Sequence, residues 1–163
     1  MVACEDCSGL KDLKDRYGVF RGKYDLPEFS DLNRLFDVEE IDFDSDFLLR
    51  KVRRVISERI AGYLRFVEVI LNPSNAPMFF FKLIKKLDEG DREVLSEVYE
   101  ILGKFEIRIL GLDVDYSEEK EADFIKDAFN VFDNDVKNKF LSIIGKFNNG
   151  DSKVKKGGNG YVG

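Results

Sequence analysis

Residues 43–71 read FDSDFLLRKVRRVISERIAGYLRFVEVIL, and this stretch decides the fold. Its apolar residues recur every three or four positions, which is the spacing that places side chains on one side of an α-helix. Asp44 or Ser45 can cap the first turn through a side-chain oxygen. Asn72-Pro73 disfavours continuation of the same helix, because proline restricts the backbone of the residue before it. We therefore predict one long amphipathic helix over residues 44–71, with a broad face that packs into a core.

One charged residue interrupts the apolar face of this helix. Arg59 lies near the middle of the face, at an angle between those of Val55 and Tyr63. A guanidinium that is buried without a partner is strongly destabilising. We predict a buried ion pair between Arg59 and Asp133, which lies at the edge of the apolar stripe of the last helix. Binding of a ligand in a cavity of the bundle, or contact with a second subunit, are the alternatives for Arg59.

The segments on either side of this helix also have helical patterns. Leu10, Leu13 and Tyr17 predict a short helix that ends at Gly18, and a second short helix follows Pro27 and ends near residue 37. A Phe-rich helix is predicted over residues 76–87, a long helix from 89 to about 112 with Asp88 as its cap, and another from Ser117 to about Phe147. The turn between the last two helices is short, so we expect them to run antiparallel.

Together these segments predict an all-α protein. Its fold is a helical bundle of three long amphipathic helices, a short Phe-rich helix and a helical N-terminal region. Residues 1–9 are expected to form a mobile leader, residues 10–147 a single helical domain, and residues 148–163 a disordered Gly/Lys-rich tail.

Composition excludes several classes of function. Charged residues make up 36% of the chain and the formal net charge is −6, which argues against a protein whose main task is to coat nucleic acid. The chain has no histidine, so the commonest general base and the commonest transition-metal ligand are both absent. No apolar run is long enough to span a membrane, and the first residues do not resemble a signal peptide. We expect an acidic, cytoplasmic protein with no membrane partner and no cofactor.

The two cysteines, Cys4 and Cys7, form a CxxC pair close to the first residue. Such a pair supplies half of a tetrahedral zinc site, and the chain has no further cysteine or histidine to supply the other half. A zinc ion held within one chain is therefore not expected. A site shared between two chains is the alternative.

The Phe-rich segment is the first candidate for a functional surface. Met78, Phe79, Phe80 and Phe81 make the start of the predicted helix apolar on almost all sides. If such a patch stays in water it is an association site. Our first hypothesis is a non-enzymatic helical interaction or scaffold module, which binds a protein partner or a second copy through this segment or an apolar face of the N-terminal region.

A basic cluster on the long helix gives the second hypothesis, which is nucleic-acid binding. Several phosphate contacts could come from its arginine and lysine side chains. The alternative is an ordinary solvated helix face, in which Arg54 and Glu58 form an i,i+4 pair. The residues of this basic face are Arg50, Lys51, Arg53, Arg54 and Arg65.

Paired carboxylates give a third hypothesis, a magnesium-dependent hydrolase. Glu97 and Glu100, with Glu118 and Glu121, resemble the paired acid motifs with which helical nucleotide pyrophosphohydrolases of the MazG and dUTPase kind bind magnesium. In an antiparallel hairpin, however, Glu97 would lie far from the turn and Glu118 beside it. We therefore favour a solvated acidic face over a metal site.

Two stretches carry a resemblance to known proteins. Residues 48–87, LLRKVRRVISERIAGYLRFVEVILNPSNAPMFFFKLIKKL, and residues 116–129, YSEEKEADFIKDAF, resemble an uncharacterised group of small helical archaeal proteins. The resemblance covers about residues 10–147. It implies an archaeal, cytoplasmic origin, and it implies no activity and no functional residue.

Overall fold

The central element of the computed structural model is a long helix, α3 (Leu48–Leu71), which packs mainly against two later helices. The structure describes residues 5–41 and 46–149, and these are all-α with no strand among them. The predicted end of α3 at Leu71 is confirmed, but its predicted start at residue 44 is wrong, because Asp46 and Phe47 are not helical and the helix begins at Leu48. Its predicted caps, Asp44 and Ser45, lie outside the described residues. The buried face of α3 consists of Leu48, Leu49, Val52, Arg53, Ile56, Ile60, Val67 and Ile70.

The N-terminal region forms a longer helix than predicted. α1 (Glu5–Tyr24) starts inside the expected leader and continues through Gly18 and Gly22. The predicted break at Gly18 is wrong, because the apolar residues Leu10, Leu13, Tyr17, Phe20 and Tyr24 keep a helical spacing across both glycines and pack on the core. Each glycine costs the helix about 1 kcal/mol relative to alanine, which this burial offsets.

The second helix, α2 (Phe29–Phe36), agrees with the prediction. It ends at Asp37, which adopts a left-handed conformation (φ 59°) and donates its backbone N–H to the Asn33 carbonyl. The Tyr17 hydroxyl donates to the Pro27 carbonyl at 2.9 Å, and this hydrogen bond fixes α1 to the start of α2. A short 3₁₀ turn, Val38–Glu40, follows.

Another 3₁₀ turn, Pro73–Asn75, separates α3 from the Phe-rich helix α4 (Met78–Ile84). α5 (Glu89–Val114) then begins at the predicted cap, Asp88. The Asp88 carboxylate accepts from the Asp91 backbone N–H at 2.9 Å, and the Asp91 carboxylate accepts from the Asp88 N–H at 3.0 Å. This reciprocal pair satisfies donors that a helix start leaves open.

The last predicted helix is one continuous helical rod with a change of geometry in its middle. α6 (Glu118–Val131) begins at the predicted cap Ser117 and passes through a π-helical segment (Phe132–Val136) into α7 (Lys137–Asn149). Ion pairs join Arg108 to Asp127 at 3.0 Å and Glu97 to Lys139 at 2.9 Å. The earlier residue of α5 pairs with the later residue of the rod, so the two run in opposite directions. The predicted antiparallel hairpin is confirmed.

The buried side chains form one contiguous core from Leu13 of α1 to Ile143 of α7. None of the described helices combines the length and the apolar content that a membrane span needs. Cys4 and residues 150–163 lie outside the described residues, as do the predictions made for them.

Candidate docking site

An open groove of about 1130 Å³ lies between α3, α4 and α7. Its floor is built from aromatic rings of α3, the π segment and α7. The ring centroid of Tyr63 lies 5.8 Å from that of Phe132 and 5.2 Å from that of Phe140, and Phe66 lies 6.4 Å from Phe140. The floor is therefore a packed aromatic surface that can take up an apolar ligand without a new cavity being opened.

One wall of the groove is α4, the predicted Phe-rich segment. Phe80 packs against Phe66 of α3, whereas Phe79 is 65% exposed and Met78 and Phe81 are also exposed. Ile84 is the one buried residue of this seven-residue helix. The helix is too short to bury both sides, so the predicted apolar segment is left largely in water.

The opposite wall is α7, whose outer side is also apolar. Phe140 and Ile143 face the core, while Leu141 and Ile144 are exposed and line the groove together with Phe79. One continuous apolar surface, which runs from α4 across the groove to α7, is therefore exposed to water. Exposed apolar surfaces of this kind are typical of interaction sites on proteins.

Cations surround this apolar surface. Arg59, Lys82, Lys86 and Lys137 line the groove, and Glu58 is the single carboxylate among the lining residues. One of these cations also stabilises the fold by a hydrogen bond within the chain. The Lys86 ammonium donates to the Phe147 carbonyl at 2.9 Å. The rim is nevertheless basic in a chain whose net charge is −6.

The predicted buried ion pair between Arg59 and Asp133 is wrong. The Arg59 side chain is 46% exposed and donates to Asp37 at 3.0 Å. Asp133 instead lies near Arg34 and Lys137, at 3.6 and 3.7 Å. The side of α3 that carries Arg59 borders the groove, where none of the described helices covers it.

The buried guanidinium of α3 is that of Arg53, which is 1% exposed. Its Nε donates to Glu121 at 2.9 Å, and its Nη2 donates to Asp113 at 2.7 Å. Burial lowers the pKa of Arg53, but hydrogen bonds to Glu121 and Asp113 outweigh it and leave this pKa above its ordinary value. Glu121 is fully buried, so the pair is a structural link between α3 and α6.

The residues of the predicted basic face of α3 therefore differ in exposure. Arg53 is buried and is not available to a phosphate, which corrects its place among the nucleic-acid contacts. The Arg50 guanidinium lies 5.4 Å from the ring centroid of Tyr116, and Lys51 is half-buried. Arg54 and Arg65 are exposed. Two exposed arginines three turns apart do not make a continuous phosphate-binding surface.

The carboxylates of the magnesium hypothesis do not come together. Glu97 pairs with Lys139, Glu118 accepts from Lys23 at 2.8 Å and from the Tyr24 hydroxyl at 2.6 Å, and Glu121 pairs with Arg53. Nowhere in residues 5–41 and 46–149 do three or more acidic or cysteine side chains lie close enough to share a metal ion. The helix hairpin spreads Glu97, Glu118 and Glu121 along its length, as expected from the sequence, and the magnesium hypothesis finds no support in this arrangement.

Sequence reasoning missed the α7 wall of the groove. A signal was available, because residues 140–147, FLSIIGKF, contain more apolar residues than one helix face can bury. Leu141 and Ile144 lie outside the predicted stripe, and they are the exposed apolar residues of α7.

Comparison of the chain with protein-family models, with curated proteins and with solved structures finds no match, so no family is assigned on that basis.

Proposed function

We propose that this protein is a non-enzymatic helical interaction module, and that its groove binds an amphipathic helix of an acidic partner protein. The observation that carries the proposal is the exposed apolar surface of α4 and α7 on either side of an aromatic floor. An amphipathic helix that lays its apolar face into such a groove is a recurrent mode of protein recognition.

Charge supports an acidic partner over a second copy bound at the same face. A symmetric contact between two grooves would bring the cations of both rims together, and like charges placed against one another in an interface disfavour association. Carboxylates on the flanks of a bound helix would instead meet Lys82 and Lys137 on opposite sides of the groove. The self-association predicted through Met78–Phe81 is therefore the less favoured form of the proposal.

Nucleic-acid binding is not favoured as a second function. The burial of Arg53 and the position of Arg50 over Tyr116 leave few free cations on α3. The groove rim is basic, but the rings of its floor are packed against one another, and the exposed rings of Phe79 and Phe81 lie together on the short helix α4, so they do not form an extended row on which successive bases could stack.

The proposal can be tested with a pair of labelled model peptides. One is an amphipathic helix with leucines at helical spacing and glutamates on its flanks, and the other carries lysines in place of the glutamates. We expect the glutamate peptide to bind at low salt with a micromolar Kd, and the lysine peptide to bind at least about tenfold more weakly. Fluorescence anisotropy measures both affinities.

A matched pair of variants locates the binding site. Ile144→Asp places a charge on the α7 wall, and Val19→Asp makes the same change at an exposed position of α1 away from the groove. We expect Ile144→Asp to weaken binding of the glutamate peptide by about tenfold or more, since a charge would have to be desolvated there. Val19→Asp should have no effect. Equal affinity for the two peptides, or equal effects of the two variants, would contradict the proposal.

A further inference from the structure

The outer face of α5 carries a second exposed apolar surface, separate from the groove. Ile107, Leu110 and Val114 are exposed, Val114 to 90%, and Tyr99 lies on the same side about two to four turns earlier. The core-facing residues of α5 lie on the opposite side of the helix. No residue of α5 lines the groove, so this face requires its own explanation.

We propose that a second copy of this chain docks on the outer face of α5, with the two α5 helices antiparallel. The proposal goes beyond the groove, which is left open for its own partner. It rests on three properties of α5, namely the exposed apolar residues, the position of a glycine among them, and the order of charges along one flank.

Gly103 lies at the centre of the outer face, between Tyr99 and Ile107. No side chain of a neighbouring described element lies within 4 Å of where its Cβ would stand. A glycine at this position lets a second backbone approach closely. In an antiparallel pair that crosses at Gly103, Tyr99 of one copy lies opposite Ile107 of the other, so the apolar residues nearest the crossing point cover one another.

The charges along one flank of α5 are self-complementary in this arrangement. Glu93, Glu97 and Glu100 precede the crossing point, and Lys104 and Arg108 follow it, all at spacings that keep them on one side of the helix. In an antiparallel pair the same flanks meet, and the acidic half of each helix faces the basic half of the other. Glu100 then lies level with the interval between Lys104 and Arg108 of the second copy, within one turn of each, and this happens twice because of the two-fold symmetry.

A pairing of Glu100 with Lys104 within one helix would also use these charges, since they are four residues apart. That pairing does not account for Ile107, Leu110 and Val114, which remain in water. A second copy accounts for the order of the charges and for the exposure of Ile107, and it also brings Leu110 and Val114 into the contact, opposite Ser96 and Arg92 of the other copy. A single helix pair makes a small interface, so we expect a reversible dimer with a Kd in the micromolar range.

A charge swap tests the proposal. Glu100→Lys brings two lysines within one turn of one another in each half of the dimer, and Lys104→Glu brings two glutamates together there. We expect each variant alone to dimerise about tenfold more weakly than the unsubstituted chain. An equimolar mixture of the two variants should regain dimerisation, because every contact is again between opposite charges. Glu97 and Arg108 are left unchanged, since they pair with Lys139 and Asp127 within the chain.

Sedimentation velocity over a range of protein concentrations measures each association, and circular dichroism shows whether each variant is folded. Leu110→Asp should abolish the dimer, while the groove variant Ile144→Asp should dimerise as the unsubstituted chain does. A chain that stays monomeric at its highest soluble concentration would overturn the proposal. So would a mixture no more associated than its components, or a dimer lost in Ile144→Asp and retained in Leu110→Asp.

Discussion

Arg53 and Arg59 occupy comparable positions on the two edges of the buried face of α3. Measured around the helix, each lies ~60° from Ile56, on opposite sides. α6 covers the edge with Arg53 and supplies Glu121, whereas the other edge borders the groove and leaves Arg59 to pair with Asp37 in water. Periodicity placed Arg59 near the middle of a broad apolar face, but it does not show which part of such a face other helices will cover, and the buried face proves narrower and leaves Arg59 at its edge.

The effects of substituting Arg53 and Glu121, the two members of the buried ion pair, on the free energy of unfolding should depend strongly on each other. Replacement of Glu121 by leucine leaves the Arg53 guanidinium buried with Asp113 as its remaining carboxylate, and we expect a loss of about 3–5 kcal/mol in the free energy of unfolding. The double variant Arg53→Met with Glu121→Leu should recover most of that loss, because an apolar pair of similar volume needs no charge partner. Urea denaturation measures both.

Arg59→Met provides the control for this prediction. Its ion pair with Asp37 is half-exposed on both sides, so its removal should cost less than about 1 kcal/mol. A loss at Arg59 as large as that at Glu121, or a double variant no more stable than the single one, would show that the Arg53 pair is not the coupled link described here.

At the scale of the helices, a sequence signal was reliable where a side chain can cap the helix by accepting a hydrogen bond. It was less reliable where a residue only lowers helix propensity. Asp88 and Ser117 were predicted as caps because their oxygens can accept from free N–H groups, and both do so. Gly18 was predicted as a break because glycine lowers helix propensity, and α1 continues through it. A propensity difference of about 1 kcal/mol is easily exceeded by the burial of Tyr17 and Leu13 on the same face.

The π segment also has a sequence signal. Ala128, Phe132, Val136 and Phe140 are spaced by four residues three times in succession, and all four are buried. In a regular α-helix such a row would drift by ~120° around the axis. The wider turn of the π segment accommodates one extra residue and keeps the four side chains on one side.

Deletion of one residue from this segment should therefore be tolerated. Without Asn134, which is exposed, the row acquires the four-and-three spacing of a regular α-helix. We expect a folded protein that loses less than about 2 kcal/mol, chiefly the hydrogen bond from Asn134 to the Asn130 carbonyl. Circular dichroism and urea denaturation check this.

The matched control is deletion of Glu100 from α5, which is also exposed but lies in a regular α-helix. There the deletion rotates all following residues by about 100° and turns the core face outward, so we expect loss of the cooperative unfolding transition. If both deletions unfold the protein, the π segment does not hold an extra residue that the helix can lose.

At the scale of the whole molecule, the all-α fold and the hairpin of α5 and α6 follow from periodicity and turn length alone, and both were predicted. The groove was not, because it depends on how far α4 and α7 stand apart over α3, and single-helix patterns do not contain that distance. The Phe-rich segment was recognised as an association site, yet the cations around it come from three different helices and from the turn after α4.

Carboxylates that hold the helices together make the fold sensitive to acid. Hydrogen bonds from Lys23 and then Tyr24 lower the pKa of Glu118, which joins α6 to α1, and the backbone of Asp91 and then Lys146 lower that of Asp88. A carboxyl with a lowered folded-state pKa stabilises the fold above its unfolded-state pKa. That stability is lost as the pH falls through the folded-state value.

We therefore expect the free energy of unfolding to be nearly constant from pH 8 to about pH 5, and to decrease below about pH 4. Glu118→Gln should be less stable than the unsubstituted chain at neutral pH, and this difference should shrink as the pH falls. Urea denaturation at a series of pH values measures it. A difference that stays constant down to pH 3 would show that the charge of Glu118 is not what stabilises the contact.

The buried ion pair between Arg53 and Glu121 has a consequence for the evolution of the sequence. Since either half is harmful without the other, a lineage can leave this arrangement only by changing both positions together or through a short-lived unstable step. Related chains should therefore carry an arginine and a glutamate at the positions equivalent to 53 and 121, or apolar residues at both. Such joint change would mark common ancestry after the rest of the sequence has diverged beyond recognition.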